Sequence, residues 1–252
     1  MSQEPETNSE VRLPLTEHLE ELRQRLIRSL IAMGIGTALC YSRAETLYMA
    51  LLAPLTTQLP GDSRLIFTEL TEAFLTYFKL ALWGGFALAS PVIFYQAWRF
   101  VSPGLFRKER KILFLFSACS TAALLAGMAF AYFFAVPAIF TFFLAYGGAT
   151  IVAMPSMKES LSLVLRILLL FGVMFEVPLV MFLGGRAGIL SPDLLRRGRK
   201  VAIVGVFVLG AVLTPPDAVS QFLVAVPIYA LYEAGILLCA LGARWHKGSD
   251  RG

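Results

Sequence analysis

The stretch LSLVLRILLLFGVMFEVPLVMFL, residues 161–183, decides the fold. Its length and apolarity mark a membrane-crossing helix, since about 20 apolar residues span a hydrocarbon core of about 30 Å. One acid, Glu176, interrupts the run, and Pro178 follows closely. An ionised carboxylate near a bilayer centre costs roughly 3 kcal/mol on insertion scales, so such a group faces protein or a wet cavity. Two readings stand: a functional site, or a structural Glu hydrogen-bonded between helices.

The surrounding chain is equally apolar. Hydrophobic residues make up 57% of it, above the level of about half that is usual for soluble domains, and charged residues only 15%. Further apolar windows fall near residues 27–41, 74–98, 112–144, 201–213 and 218–241. Their lengths fit helices rather than barrel strands, and they predict an all-α polytopic membrane protein with six spans. The third window is long, and Pro137 permits a kink there. The first and fifth are short; 201–213 covers only about 20 Å, which predicts a locally thinned bilayer beside spans five and six.

Orientation follows from the basic residues of the short loops, which concentrate in the cytoplasm. Arg23, Arg25 and Arg28 precede span one, and Arg99, Arg107, Lys108, Arg110 and Lys111 join spans two and three. Arg196, Arg197, Arg199 and Lys200 join spans four and five, and Arg244, Lys247 and Arg251 follow span six. The opposite loops hold only Arg43, Arg64 and Lys158. Both termini are therefore expected in the cytoplasm, and the net charge of +5 is topogenic rather than a nucleic-acid footprint. The polar first 25 residues hold no cleavable signal segment, so span one is expected to be a retained anchor.

Residues 1–252 are read as one membrane domain: a mobile acidic tail at 1–13, an amphipathic helix at 14–26, the six-span bundle at about 27–241, and a tail at 242–252. Leu15, Leu19, Leu22 and Leu26 share one face of the amphipathic helix, with Glu17, Glu21, Gln24 and Arg28 on another. The thirty or so residues after span one are expected to form a small external cap. Pro215, Pro216 and Asp217 make a tight turn between spans five and six, with Asp217 accepting backbone N–H bonds. Cys40, Cys119 and Cys239 have no paired spacing and read as packing residues.

Catalysis is disfavoured by elimination. The two histidines, His18 and His246, lie outside the spans, as do Asp62, Asp193, Asp217 and Asp250, so intramembrane serine and aspartyl proteolysis both lack their residues. No phosphate-binding loop, dinucleotide turn or metal-ligand cluster is present in the sequence, so no enzyme, metal or cofactor is expected. What remains is an arrangement of carboxylates. Glu17, Glu20 and Glu21 precede span one, and Glu109 sits among bases in the next cytoplasmic loop. Glu21 and Glu109 could form one anionic site at the inner face, or Glu21 could pair with Arg25 one helical turn on while Glu109 is merely solvated.

Several motifs stand in order along the chain: TEHLEELRQRL at 16–26, SPVIFYQ at 90–96, WRFVSPGL at 98–105 with Glu109 and Arg110, FGVMFEVP at 171–178, and LTPPD at 213–217 with Gln221. In these the chain resembles the TatC family, the multi-spanning receptor subunit of the twin-arginine protein translocase. The resemblance implies a glove-like six-helix subunit in the bacterial inner membrane. It implies that Glu21 and Glu109 recognise the paired arginines of a folded cargo's signal peptide, since two guanidinium forks suit fixed carboxylates better than ammonium groups do. Arg23 would order that site by engaging neighbouring carboxylates or lipid phosphate, Phe100 would pack on the peptide's apolar residues, and Arg110 matches a basic position of the same motif. Glu176, with Gln221 contributing, would dock the transmembrane helix of a TatA- or TatB-type single-span partner. Oligomeric assembly and transport driven by the proton gradient are implied as well. Glu233, in span six, reads as structural pairing. Two rival readings remain: a proton-coupled small-solute transporter using Glu176, and a purely structural assembly factor.

Overall fold

A computed structural model describes residues 15–59, 65–66, 69, 71–105, 110–145, 154–214 and 217–249. The described residues are helical almost throughout. In chain order the helices are α1 (Leu15–Tyr41), α2 (Ala44–Thr56), α3 (Glu72–Leu105), α4 (Arg110–Phe130), α5 (Val136–Ala145), α6 (Met157–Arg186), α7 (Pro192–Arg197), α8 (Arg199–Leu213) and α9 (Ala218–Ser249). A π-helical turn, Ala131–Ala135, joins α4 to α5. The only strand-like pairing among the described residues is a single parallel bridge between Ile66 and Ser156.

Among the described residues, four helical segments are long and apolar enough to cross a membrane: Glu72–Phe100, Leu113–Leu144, Met157–Arg186 and Ala218–Trp245. The other two expected spans fall short for different reasons. α1 has 27 residues, but its first half carries Glu17, Glu20, Glu21, Arg23, Arg25 and Arg28. α8 is apolar but has only 15 residues, about 22 Å of helix.

Where Pro137 permits a kink in the long third span, a π turn stands just before it. Proline lacks the N–H that would bond the carbonyl of Phe133, and its ring would crowd that carbonyl. Widening one turn relieves the conflict without ending the helix.

α6 is central, packed against α4 on one side and α9 on the other, while α1 lies along α3. These pairs approach closely because glycine stands at the crossings. A Cβ on Gly36 of α1 would sit 2.8 Å from the Gly85 carbonyl oxygen of α3, and one on Gly242 of α9 would collide with the Phe182 carbonyl of α6. Small residues allow such backbone approach where no hydrophobic effect drives helices together. Cys40 and Cys239 are buried at these contacts, Cys40 against Gly84 and Cys239 against Gly185; Cys119 is exposed, and all three are free thiols.

The segment after α1 contains α2, whose Tyr48, Leu52 and Leu55 are buried in the main apolar cluster with Ile139, Phe140 and Leu161. The bridge at Ile66 fastens the same region to the start of α6, with Met157 N–H donating to Ile66 O at 2.8 Å. The apolar stripe of α1 faces outward. Leu19, Leu22, Leu26, Ile27, Leu30, Ile31 and Ile35 are all exposed, while Arg25 is buried against the bundle. In a membrane the surrounding medium is itself apolar, so the polar residue takes the protein side.

Candidate functional site

α1 and α3 cross so that the start of one meets the end of the other. The imidazole of His18 stacks on the Phe100 ring with centroids 4.4 Å apart. His18 Nδ1 lies 4.0 Å from Glu21 Oε2. The Glu21 carboxylate is held by Arg25, whose Nε and Nη2 both donate to Oε1. The i, i+4 pairing is therefore present, as the sequence allowed, and it leaves Oε2 as the open acceptor. Arg25 Nη1 is buried without a hydrogen-bond partner among the described residues. Arg23 points away and pairs with Glu20 at 3.4 Å on the exposed side. Glu109 lies outside the described residues, and Arg110 opens α4 with its side chain outside them. Thus Glu21 and Phe100 are brought together, joined by His18. No spacing rule pointed to His18; its stack with Phe100 links residues about eighty positions apart.

A second polar site lies within the bundle. Glu176 is half-buried on α6, about 28 Å along the helix from Met157 and about 15 Å from Arg186, nearer the latter end than the middle. Its carboxyl sits beside the Ser120 hydroxyl and the backbone at Leu124 of α4. Ser120 is fully buried and accepts a hydrogen bond from Trp98 Nε1 of α3 at 2.9 Å, so three helices meet at Trp98, Ser120 and Glu176. Glu176 Oε1 is buried without a hydrogen-bond partner among the described residues. Leaving such an acceptor unmet costs about 1–3 kcal/mol, which a donor from outside the chain would recover.

Gln221 does not join this cluster. α6 and α9 run parallel, with Gly185 against Cys239 and Gly235 against Met181, a register that puts Gln221 level with Ile167. It is thus about 13 Å from Glu176 along the bundle. Its Nε2 donates to Phe207 O of α8 at 2.7 Å and clamps the α8–α9 hairpin. Asp217 caps α9, its Oδ1 accepting Ser220 N–H at 2.7 Å, while Pro215 and Pro216 lie outside the described residues. Glu233 is structurally paired, accepting from Arg199 Nη2 and from the Tyr229 hydroxyl, both at 2.7 Å. Among the described residues no group of His, Cys, Asp or Glu could hold a metal ion.

Comparison with known proteins shows the family to which the chain belongs. A family model described as "Sec-independent protein translocase protein (TatC)" matches residues 17–227. The chain is 45% identical to the TatC protein of Desulforapulum autotrophicum over 92% of its own length and 86% of that protein's. It is 37% identical to that of Escherichia coli K12 (94% and 91% covered) and 38% identical to that of Aquifex aeolicus (93% and 98%). Its fold matches a solved structure described as "Crystal Structure of Twin Arginine Translocase Receptor- TatC" with a TM-score of 0.80 and 37% identity, over 89% of this chain and 99% of that one. A helical bundle with apolar spans, the quoted motifs in order, and these matches across nearly the whole chain place this protein in the TatC family of Sec-independent protein translocase components.

Proposed function

We propose that this translocase component is the receptor for twin-arginine signal peptides, acting at the end of the bundle where α1 begins and α3 finishes. The observation that supports it most is the Glu21 carboxylate, half satisfied by Arg25, with Oε2 open beside the stacked His18 and Phe100. One peptide guanidinium takes Oε2 of Glu21, the second takes Glu109, and the adjoining Phe100 and His18 rings receive an apolar side chain. Arg23 and Arg110 hold the neighbouring charges in place.

On this reading α1 and α8 complete a six-span, glove-like bundle with both termini in the cytoplasm of a bacterium, in its inner membrane. α8 crosses where the bilayer is thinned. A TatA- or TatB-type single-span helix docks alongside, donating a hydrogen bond to Glu176 Oε1, with Gln221 as a separate contact about 13 Å further along. Several copies assemble, and the proton gradient drives transport. The rival solute-transporter reading lacks a comparable support in the family match.

Purified protein in detergent is expected to bind a twin-arginine peptide about tenfold more tightly than its twin-lysine counterpart. Loss of one charge-assisted hydrogen bond is worth about that factor. Glu21→Ala and Glu109→Ala each shrink the preference. Equal binding of both peptides by all three proteins rules out the site. Glu176→Ala is expected to abolish crosslinking to the partner's transmembrane helix while peptide binding persists; undiminished crosslinking returns Glu176 to a structural role.

A further inference from the structure

At the end of the bundle where α6 begins, a cavity of about 1000 Å³ opens between α6, α5 and the end of α8. Lys158, Ser162 and Arg166 line it at i, i+4 and i+8, forming one ladder up the α6 surface. From behind, α3 brings Lys79, whose Nζ donates to Ser162 Oγ at 2.9 Å, and Lys158 and Arg166 both lie within electrostatic reach of it. Through residues 161–172, otherwise buried or half-buried, Arg166 alone is exposed, and it faces this cavity.

Three cations thus gather around one serine, and none has an ion-pair partner among the described residues. One acid, Glu159, lines the cavity. The nearby Glu72 is engaged elsewhere, accepting from Ser156 Oγ and Lys158 N–H. Arg166 stands about 14 Å along α6 from Met157, inside an apolar span, where an unpaired guanidinium costs about 3 kcal/mol or must snorkel toward the interface. The site calls for an anion.

We propose that this cavity binds an anionic phospholipid, its phosphate held by Lys158, Ser162 and Arg166 and one acyl chain laid along Phe140, Phe143 and Val212. A phosphate group accepts from several donors at once, which suits an ammonium, a hydroxyl and a guanidinium on one ladder better than a single carboxylate does. The apolar walls beside the ladder give the chain a place that a soluble anion would leave empty.

The test uses full-length protein stripped of lipid in dodecyl maltoside and titrated under native mass spectrometry. The arms are dioleoyl phosphatidylglycerol, dioleoyl phosphatidylcholine, glycerol 3-phosphate, and a synthetic single-span helix bearing one Glu. One phosphatidylglycerol is expected to bind about tenfold tighter than phosphatidylcholine. Arg166→Gln and Lys158→Gln each lower that affinity about tenfold, Arg166→Lys keeps most of it, and Arg43→Gln, outside the cavity, leaves it unchanged. The proposal is overturned if both cavity variants bind phosphatidylglycerol as the parent does, or if glycerol 3-phosphate binds as tightly. It is equally overturned if the Glu-bearing helix, and not the lipid, binds in an Arg166-dependent way.

Discussion

Replacing Ser120 with alanine isolates the polar junction inside the bundle. The hydroxyl is the acceptor for the one N–H of Trp98, at 2.9 Å, and stands beside a carboxylate that already has one buried oxygen unmet. A buried donor left unpaired costs about 1–3 kcal/mol in water-soluble proteins. Between membrane helices a hydrogen bond averages only about 0.6 kcal/mol and reaches about 1.7, because separated helices find other partners in the bilayer. The lower scale governs the Trp98 bond here, since both groups lie in apolar spans. Adding the change at Glu176 gives a loss of about 1–2 kcal/mol for Ser120→Ala. At about 2–4 °C per kcal/mol for a chain of this size, the apparent Tm in dodecyl maltoside falls by about 2–8 °C. Trp98→Phe removes the donor but also alters packing on Phe116, so the bond itself is read from the double-mutant cycle, with an expected coupling of about 0.6–1.7 kcal/mol. Strict additivity of the two substitutions would refute the claim that this bond ties α3 to α4.

Three further outcomes are expected. Gly242→Leu drives a side chain into the Phe182 carbonyl and destabilises by about 1–3 kcal/mol, whereas Gly34→Ala, where a Cβ meets nothing within 4 Å, costs nothing; thermal melts of the pair that coincide would contradict the close-approach argument. Asp217→Ala removes the cap of α9 at a cost of about 1 kcal/mol, and Asp217→Asn restores most of it in the same melts. Burial first, then Tyr77 and Glu72, pushes the ionisation of the Tyr48 hydroxyl above its ordinary value of about 10. The fold therefore requires the neutral phenol, and its contribution is complete below about pH 10 and lost as the pH rises past that point. Tyr48→Phe flattens this alkaline limb of the stability profile, and an unchanged limb would assign it to other groups.

The helical class was legible because apolar run length is a property of the chain alone, and the shortness of residues 201–213 carried directly into the 15-residue α8. Asp217 was legible as a cap for the same reason: the cap and the helix it caps are adjacent in sequence. The alternative pairing of Glu21 with Arg25 could also be written down from spacing, and it is present. What sequence could not supply were contacts between distant positions, such as His18 on Phe100 or Trp98 on Ser120. The expected patch joining Gln221 to Glu176 failed because it depended on the register of α9 against α6, which glycine contacts set and hydropathy does not report. The Leu stripe of α1 was visible, but its direction was not: periodicity locates an apolar face without saying whether protein or lipid covers it.

The π turn between α4 and α5 acts on the phase of everything that follows it. Gly127, Ala131, Ala135 and Ile139 are all buried at a constant step of four residues. An uninterrupted α-helix would have carried those four positions about 120° out of line. The wide turn absorbs the mismatch, leaving Phe133 and Phe134 on the outside and Ile139 and Phe140 in the core. Deleting any one residue from 131–135 would restore the ordinary repeat and rotate α5 by about 100°. Ile139 and Phe140 would then turn outward, and α2 would lose the surface on which it rests. This segment accordingly tolerates a change of side chain far better than a change of length.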